Sequence, residues 1–193
     1  MKKITGHGYG TICRYTKETQ ILPEYYNQWA IKRGGSKRIA ENKWETAREH
    51  ANSFIKALSK TDKLLILACL YWGEGTKKGD FCIMNSDPEL IRVFVDCLDS
   101  LGVHKSRLKV SVRIYEDVHK INAIKFWAKT VGISPMSIVS VNVLNGKKRG
   151  KLPHGMCRLR IAKGEEYLKL VMSLIEVIKN RCSRRSTDRT WVS

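Results

Sequence analysis

Apolar positions divide the chain into a polar, aromatic-flecked beginning and a strongly patterned remainder. Residues 1–35 carry no sustained period, and Gly6, Gly8, Gly10, Pro23 and the Gly34–Gly35 pair punctuate them, so an irregular arm is expected. From Ser36 to Leu58, Ala40, Trp44, Ala47, Ala51, Phe54 and Ile55 fall near helical spacing, with Ser36 as the expected N-cap. A break at Ser59, Thr61 and Asp62 leads into the most apolar run of the chain, Leu64 to Gly75. That run predicts a helix from Lys63 to about Gly73, capped by Thr61 or Asp62. It stops abruptly in one carboxylate, Glu74, between two glycines.

Short strands and helices alternate after this point. Thr76 to Asp80 reads as a basic turn and Phe81 to Ser86 as a short strand. Ser86 or Asp87, with Pro88 in the first turn, opens a helix lined by Leu90, Phe94, Leu98 and Leu101 and ended by Gly102. Leu108 to Tyr115 alternates: Leu108, Val110, Val112 and Ile114 face one way, Lys109, Ser111, Arg113 and Tyr115 the other. A helix is predicted over 118–131, with Ile121, Ile124, Ala128 and Val131 inward. Ile138 to Leu144 is a strand with Val139, Val141 and Val143 opposite Ser140 and Asn142. A flexible basic loop carrying Lys147, Lys148 and Arg149 precedes the last strand, Met156 to Ala162. There Cys157, Leu159 and Ile161 point inward and Arg158 and Arg160 outward. Gly164 to Asn180 is amphipathic through Tyr167, Val171, Leu174 and Ile178. The order predicts an α+β fold in three parts: a basic, aromatic arm with its helix (1–62), a main domain (63–180) and a basic tail (181–193).

Charge narrows the class of partner. The 193 residues hold 36 Lys and Arg against 18 Asp and Glu, a formal net charge of +18, which points to a polyanion and by default to nucleic acid. At 42% hydrophobic residues the chain needs no disulfide framework to fold. Its six cysteines (Cys13, Cys69, Cys82, Cys97, Cys157 and Cys182) form no C-x-x-C pair and mostly sit in apolar runs, which suits buried thiols in a reducing cytoplasm. His154 and Cys157 lack a second pair, so no zinc site is expected. Met1 to Gly10 has no apolar stretch, so no signal peptide is expected, and the run at 64–75 is too short to span a bilayer. In the arm, Tyr9, Tyr15, Tyr25, Tyr26 and Trp29 are interleaved with Arg14, Lys17, Lys32 and Arg33. Such a mixture either packs onto the main domain or stacks on nucleic acid.

The outward residues of the strands are nearly all donors: Lys109, Ser111, Arg113, Tyr115, Ser140, Asn142, Arg158 and Arg160. A sheet with helices on one face would present them together to a DNA groove, while Lys77, Lys78, Lys147, Lys148 and Arg149 in loops hold phosphates. Within the central run, Leu67 to Gly75 resembles the LAGLIDADG motif of homing endonucleases. Leu67, Ala68, Leu70 and Gly75 match outright, Cys69 and Gly73 replace a glycine and an alanine, and Glu74 stands for the metal-binding aspartate. Tyr71 replaces an isoleucine and Trp72 the first aspartate. The resemblance implies a LAGLIDADG-like fold, an antiparallel sheet with a basic open face and helices on the other. It also implies a homodimer that cleaves double-stranded DNA with Mg2+. Glu74 would be the catalytic metal ligand, and Leu67, Ala68, Cys69, Leu70 and Gly73 would form the dimer seam. Small residues at Cys69 and Gly73, four apart on one helix face, permit close approach of two such helices. Two readings stay open beside this one: a non-cleaving DNA-binding regulator on the same scaffold, and an RNA-binding intron-splicing helper.

Overall fold

Glycine and proline do not keep the beginning of the chain from coiling. In the computed structural model, which describes residues 2–20, 22–33 and 35–183, the expected irregular arm is a series of helices. These are α1 (Lys2–Thr5), α2 (Tyr9–Thr16) and α3 (Pro23–Arg33), followed by α4 (Gly35–Phe54). Pro23 stands at the first position of α3, where its missing amide is one of the unsatisfied donors of any helix start. Ser36 lies inside α4, one residue past its start. None of the apolar residues that give α4 its period is buried: Trp44 is 67% and Phe54 75% exposed. This unit, Met1–Ala57, is separate from a second, Leu58–Ser193.

The second unit opens on α5 (Lys60–Glu74). Its cap is Ser59, ahead of the expected Thr61 or Asp62. The Ser59 side chain accepts from the Asp62 amide at 3.2 Å, and the Ser59 amide donates back to the Asp62 carboxylate at 2.8 Å. Hydrogen bonds from the Ser59 side chain and then its amide hold the Asp62 carboxyl below the ordinary carboxylate range. Ser59 to Asp62 thus belong with the second unit, not with the arm. β1 (Cys82–Asn85) follows, then α6 (Pro88–Ser100), whose N-cap Asp87 accepts from Glu89 and Leu90. β2 (Leu108–Tyr115), α7 (Lys120–Val131), β3 (Ile138–Leu144), β4 (Met156–Ile161) and α8 (Glu165–Ser183) complete it. Arg181, Cys182 and Ser183 of the expected basic tail are therefore helical, and 184–193 lie outside the described residues.

The strands form one four-stranded sheet in the order β1-β4-β2-β3. The expectation of an antiparallel sheet needs correcting. β4 is antiparallel to both β1 and β2, but β2 and β3 are parallel, because α7 carries the chain back before β3 begins. Ile138 pairs with Val110 and Ser140 with Ser111, so Val139 is an extra, unpaired residue at a bulge and is 58% exposed. The bulge takes Val139 out of the face that Val141 shares with Val112.

One face of the sheet makes the core. Ile83, Val110, Val112, Ile114, Cys157, Leu159 and Ile161 are at most 2% exposed and pack with Leu67, Ala68, Tyr71, Phe94, Trp127, Val171 and Ile175 from α5 to α8. In α7 the inward residues include Ala123 and Trp127, while Ile121, expected inside, is 56% exposed. Cys82, Cys97 and Cys157 are buried, as their apolar runs require, but Cys13, Cys69 and Cys182 are exposed. Burial pushes the Cys157 thiol up to about 12, so it packs as a small hydrophobe. Leu67→Ala should cost about 2–5 kcal/mol of unfolding free energy. Val139→Ala, at the exposed bulge, should stay within about 0.5 kcal/mol; denaturant unfolding of the two variants measures both.

Candidate nucleic-acid interface and helix-end carboxylate

Strand register sets the open face of the sheet. Cys82, Arg160 and Lys109 stand side by side across β1, β4 and β2. Met84, Arg158, Ser111 and Ser140 form the next row, across all four strands. Met156, Arg113 and Asn142 form the third, and Tyr115 and Leu144 end the face. Ser140 donates to the Ser111 hydroxyl at 3.1 Å, so these two predicted contacts are coupled. Seven predicted donors, Lys109, Ser111, Arg113, Ser140, Asn142, Arg158 and Arg160, therefore share one surface. Met84 shares it too, while Cys82 lies on the same side but is buried, 2% exposed; neither was singled out from sequence, although the alternation from Phe81 to Ser86 contains that signal.

Internal partners orient several of the cations. The Arg158 guanidinium donates to the Cys82 sulfur at 3.3 Å, and Arg160 pairs with Asp80 at 2.9 Å. The Asp80 carboxylate thus lies beside the basic face, which the strands alone had shown as nearly free of acid. Tyr115 is covered: the Lys148 ammonium sits 4.8 Å from its ring centroid. Lys147, Lys148 and Arg149 lie in the segment that leaves β3 at this end of the sheet.

Glu74 is exposed at the last position of α5. Its surroundings explain why the helix stops there. Tyr71 stacks on Phe81 with centroids 4.4 Å apart and planes 2° from parallel, and its hydroxyl donates to the Thr76 carbonyl. A Cβ at Gly75 would lie 2.4 Å from the Tyr71 ring, so only glycine lets the chain turn this closely past the ring. Gly75 then bridges to Ile83, which joins the helix end to the sheet. Lys77, expected on DNA, closes the turn. Its ammonium donates to the carbonyls of Tyr71, Trp72 and Gly75 at 2.9, 2.7 and 2.7 Å, on both sides of Glu74 in sequence. A cation placed there also opposes the partial negative charge of the helix C-terminus. Lys78 remains exposed on the turn.

The expected seam residues divide between two faces of α5. Leu67 and Ala68 are fully enclosed by the subunit's own core, while Leu70 packs against that core and stays partly exposed. Cys69 and Gly73 do lie outside, with Leu65 and Trp72, each 44% exposed, on the same stripe. A Cβ built on Gly73 meets nothing within 4 Å. Among the described residues no group of three or more His, Cys, Asp or Glu is placed to hold a metal ion. Glu74 offers a single carboxylate, at most one ligand for a divalent ion and not part of a cage among the described residues.

Lys77→Met should lower stability by about 1–2 kcal/mol, because it removes the helix-end cation and leaves carbonyls unpaired. Lys78→Met should change it by less than about 0.5 kcal/mol. Thermal unfolding of the pair separates a capping lysine from a merely surface one. No family model matches the chain, and neither a curated protein nor a solved structure is significantly similar to it.

Proposed function

We propose that the protein is a duplex-DNA endonuclease of LAGLIDADG type acting as a homodimer. The observation that carries this reading is the pairing of two surfaces in one unit. One is an open sheet face bearing Lys109, Arg113, Arg158 and Arg160. The other is the outer stripe of α5, which ends in the exposed carboxylate of Glu74. Arg and Lys on a twisted sheet reach base edges and phosphates along a groove, and Ser111, Ser140 and Asn142 add short donors and acceptors between them. Two copies packed along Cys69 and Gly73 bring their Glu74 carboxylates together about a two-fold axis. A divalent ion bound there supplies an activated water and charge stabilisation at the leaving oxygen. The chain's own part is to hold the carboxylate rigidly, through Tyr71, Gly75 and Lys77, and to orient the duplex through the sheet. Among the described residues no helix is long and apolar enough to cross a membrane.

A second reading, a DNA-binding protein that does not cut, draws on Trp72. Its indole is exposed on the same stripe as Gly73 and stands where close packing of two helices asks for a small residue. The RNA reading is less favoured, because the single aromatic ring on the open face, Tyr115, is capped by Lys148.

A library of random duplexes incubated with the protein and Mg2+ should yield cut products, and Glu74→Gln should abolish cutting while leaving duplex affinity within about twofold. Binding without cutting in Mg2+ or Mn2+ selects the second reading. Gly73→Val tests the seam: the subunit has room for the added side chain, so folding should persist while the sedimentation mass falls from dimer to monomer and cutting is lost. A Gly73→Val protein that still sediments as a dimer and cuts normally rules the seam out.

A further inference from the structure

Because β2 and β3 run parallel, the segments that follow them leave the sheet at the same edge. Asp117, just past β2, there meets the loop just past β3. Its carboxylate oxygens accept from the Lys148 amide at 3.1 and 3.3 Å, and one of them also accepts from the Arg149 amide at 2.8 Å. Consecutive main-chain amides converging on one acceptor form a concavity suited to an anion. Here the anion is a side chain of the protein itself. Arg149 adopts φ 49°, a left-handed value uncommon outside glycine, and Gly146 and Gly150 on either side have φ 93° and 77°.

Other ties fix the same loop. The Glu116 amide donates to the Gly146 carbonyl at 3.2 Å, and the Lys151 amide to the Lys148 carbonyl at 3.1 Å. The Trp127 indole donates to the His154 carbonyl at 2.7 Å. Gly155 passes so close to β2 that a Cβ would come within 2.2 Å of the Arg113 carbonyl oxygen. The backbone of the loop expected to be flexible is tied at Gly146, Lys148, Arg149 and Lys151.

An acid beside Lys147, Lys148, Arg149 and Lys151 opposes their attraction for a polyanion by charge. By geometry it does the reverse, since it removes loop freedom that phosphate binding would otherwise have to remove. We propose that Asp117 is a positioning residue that holds this loop as a preformed clamp for the phosphate backbone of duplex DNA, at the edge of the basic sheet face. The proposal rests on the DNA-binding reading of that face and is independent of whether Glu74 cuts.

Asp117→Ala and Asp117→Asn separate charge from geometry, because both raise the net charge by the same amount. Asparagine retains a carbonyl oxygen able to accept from both amides; alanine does not. Affinity for a random-sequence duplex is measured against salt concentration for the full chain and both variants. Asp117→Ala should bind on the order of tenfold more weakly, with a salt slope shallower by about 2, as two phosphate contacts are lost. Asp117→Asn should stay within about twofold of the parent. Hydrogen exchange at the Lys148 and Arg149 amides should be fast in the alanine variant and protected in the other two proteins. Tighter binding by both variants, or equal changes in both, overturns the proposal and leaves the DNA reading standing. A parent protein that binds no duplex removes both.

Discussion

Parallel pairing of β2 with β3 is the constraint on which the rest of the second unit depends. Two parallel neighbours need a crossover between them, and α7 supplies it on the face where α5, α6 and α8 also pack. The alternating apolar positions of β2 and β4 then point to that side, and the buried Trp127 joins the core from the crossover itself. The opposite face carries the polar half of β2 and β4. The same pairing places the ends of β2 and β3 together, which lets Asp117 meet the amides of Lys148 and Arg149. An antiparallel pair would put the two strands' following segments at opposite ends of the sheet, and the basic loop would have no such partner.

The end of α5 shows how one helix serves two surfaces. Tyr71, Leu67 and Ala68 face inward and are lost to solvent entirely, so the segment is first of all a core helix. Turned by the helical period, Leu65, Cys69, Trp72 and Gly73 face outward and are exposed. The stop is built from packing as much as from capping: the Tyr71 ring closes the path that any residue but glycine would take at position 75, and the Lys77 ammonium gathers three carbonyls of the last turn. Glu74 is therefore held at a defined exit and not on a frayed end.

A net charge of +18 overstates the positive surface offered to a partner. Lys77 closes a helix, Arg160 pairs with Asp80, and Lys148 lies over Tyr115. Arg107 ties the Tyr167 hydroxyl and the carbonyls of Ala162 and Lys163 to the start of β2. These cations shape the molecule first and bear on a polyanion second. Lys109, Arg113 and the loop residues Lys147 and Arg149 carry more of the direct electrostatic role in the proposed interface.

The sequence by itself determined the elements of the second unit and the faces of most of them. Strict alternation from Leu108 to Tyr115 and from Met156 to Ile161 has one structural solution, a strand buried on one side, and the donors on the other side follow at once. Pro88 after Asp87 and the glycines at 102 and 132 marked helix ends for equally local reasons. Local pattern could not decide the direction of β3, because apolar periodicity is the same for parallel and antiparallel neighbours. Nor could it show the bulge at Val139, or the helices α1 to α3, whose stretch carries no sustained apolar period. The roles of Lys77 and Asp117 lay further out of reach. Each is a charged residue in a polar turn, which reads as solvated or ligand-facing until tertiary structure brings carbonyls to the one and amides to the other.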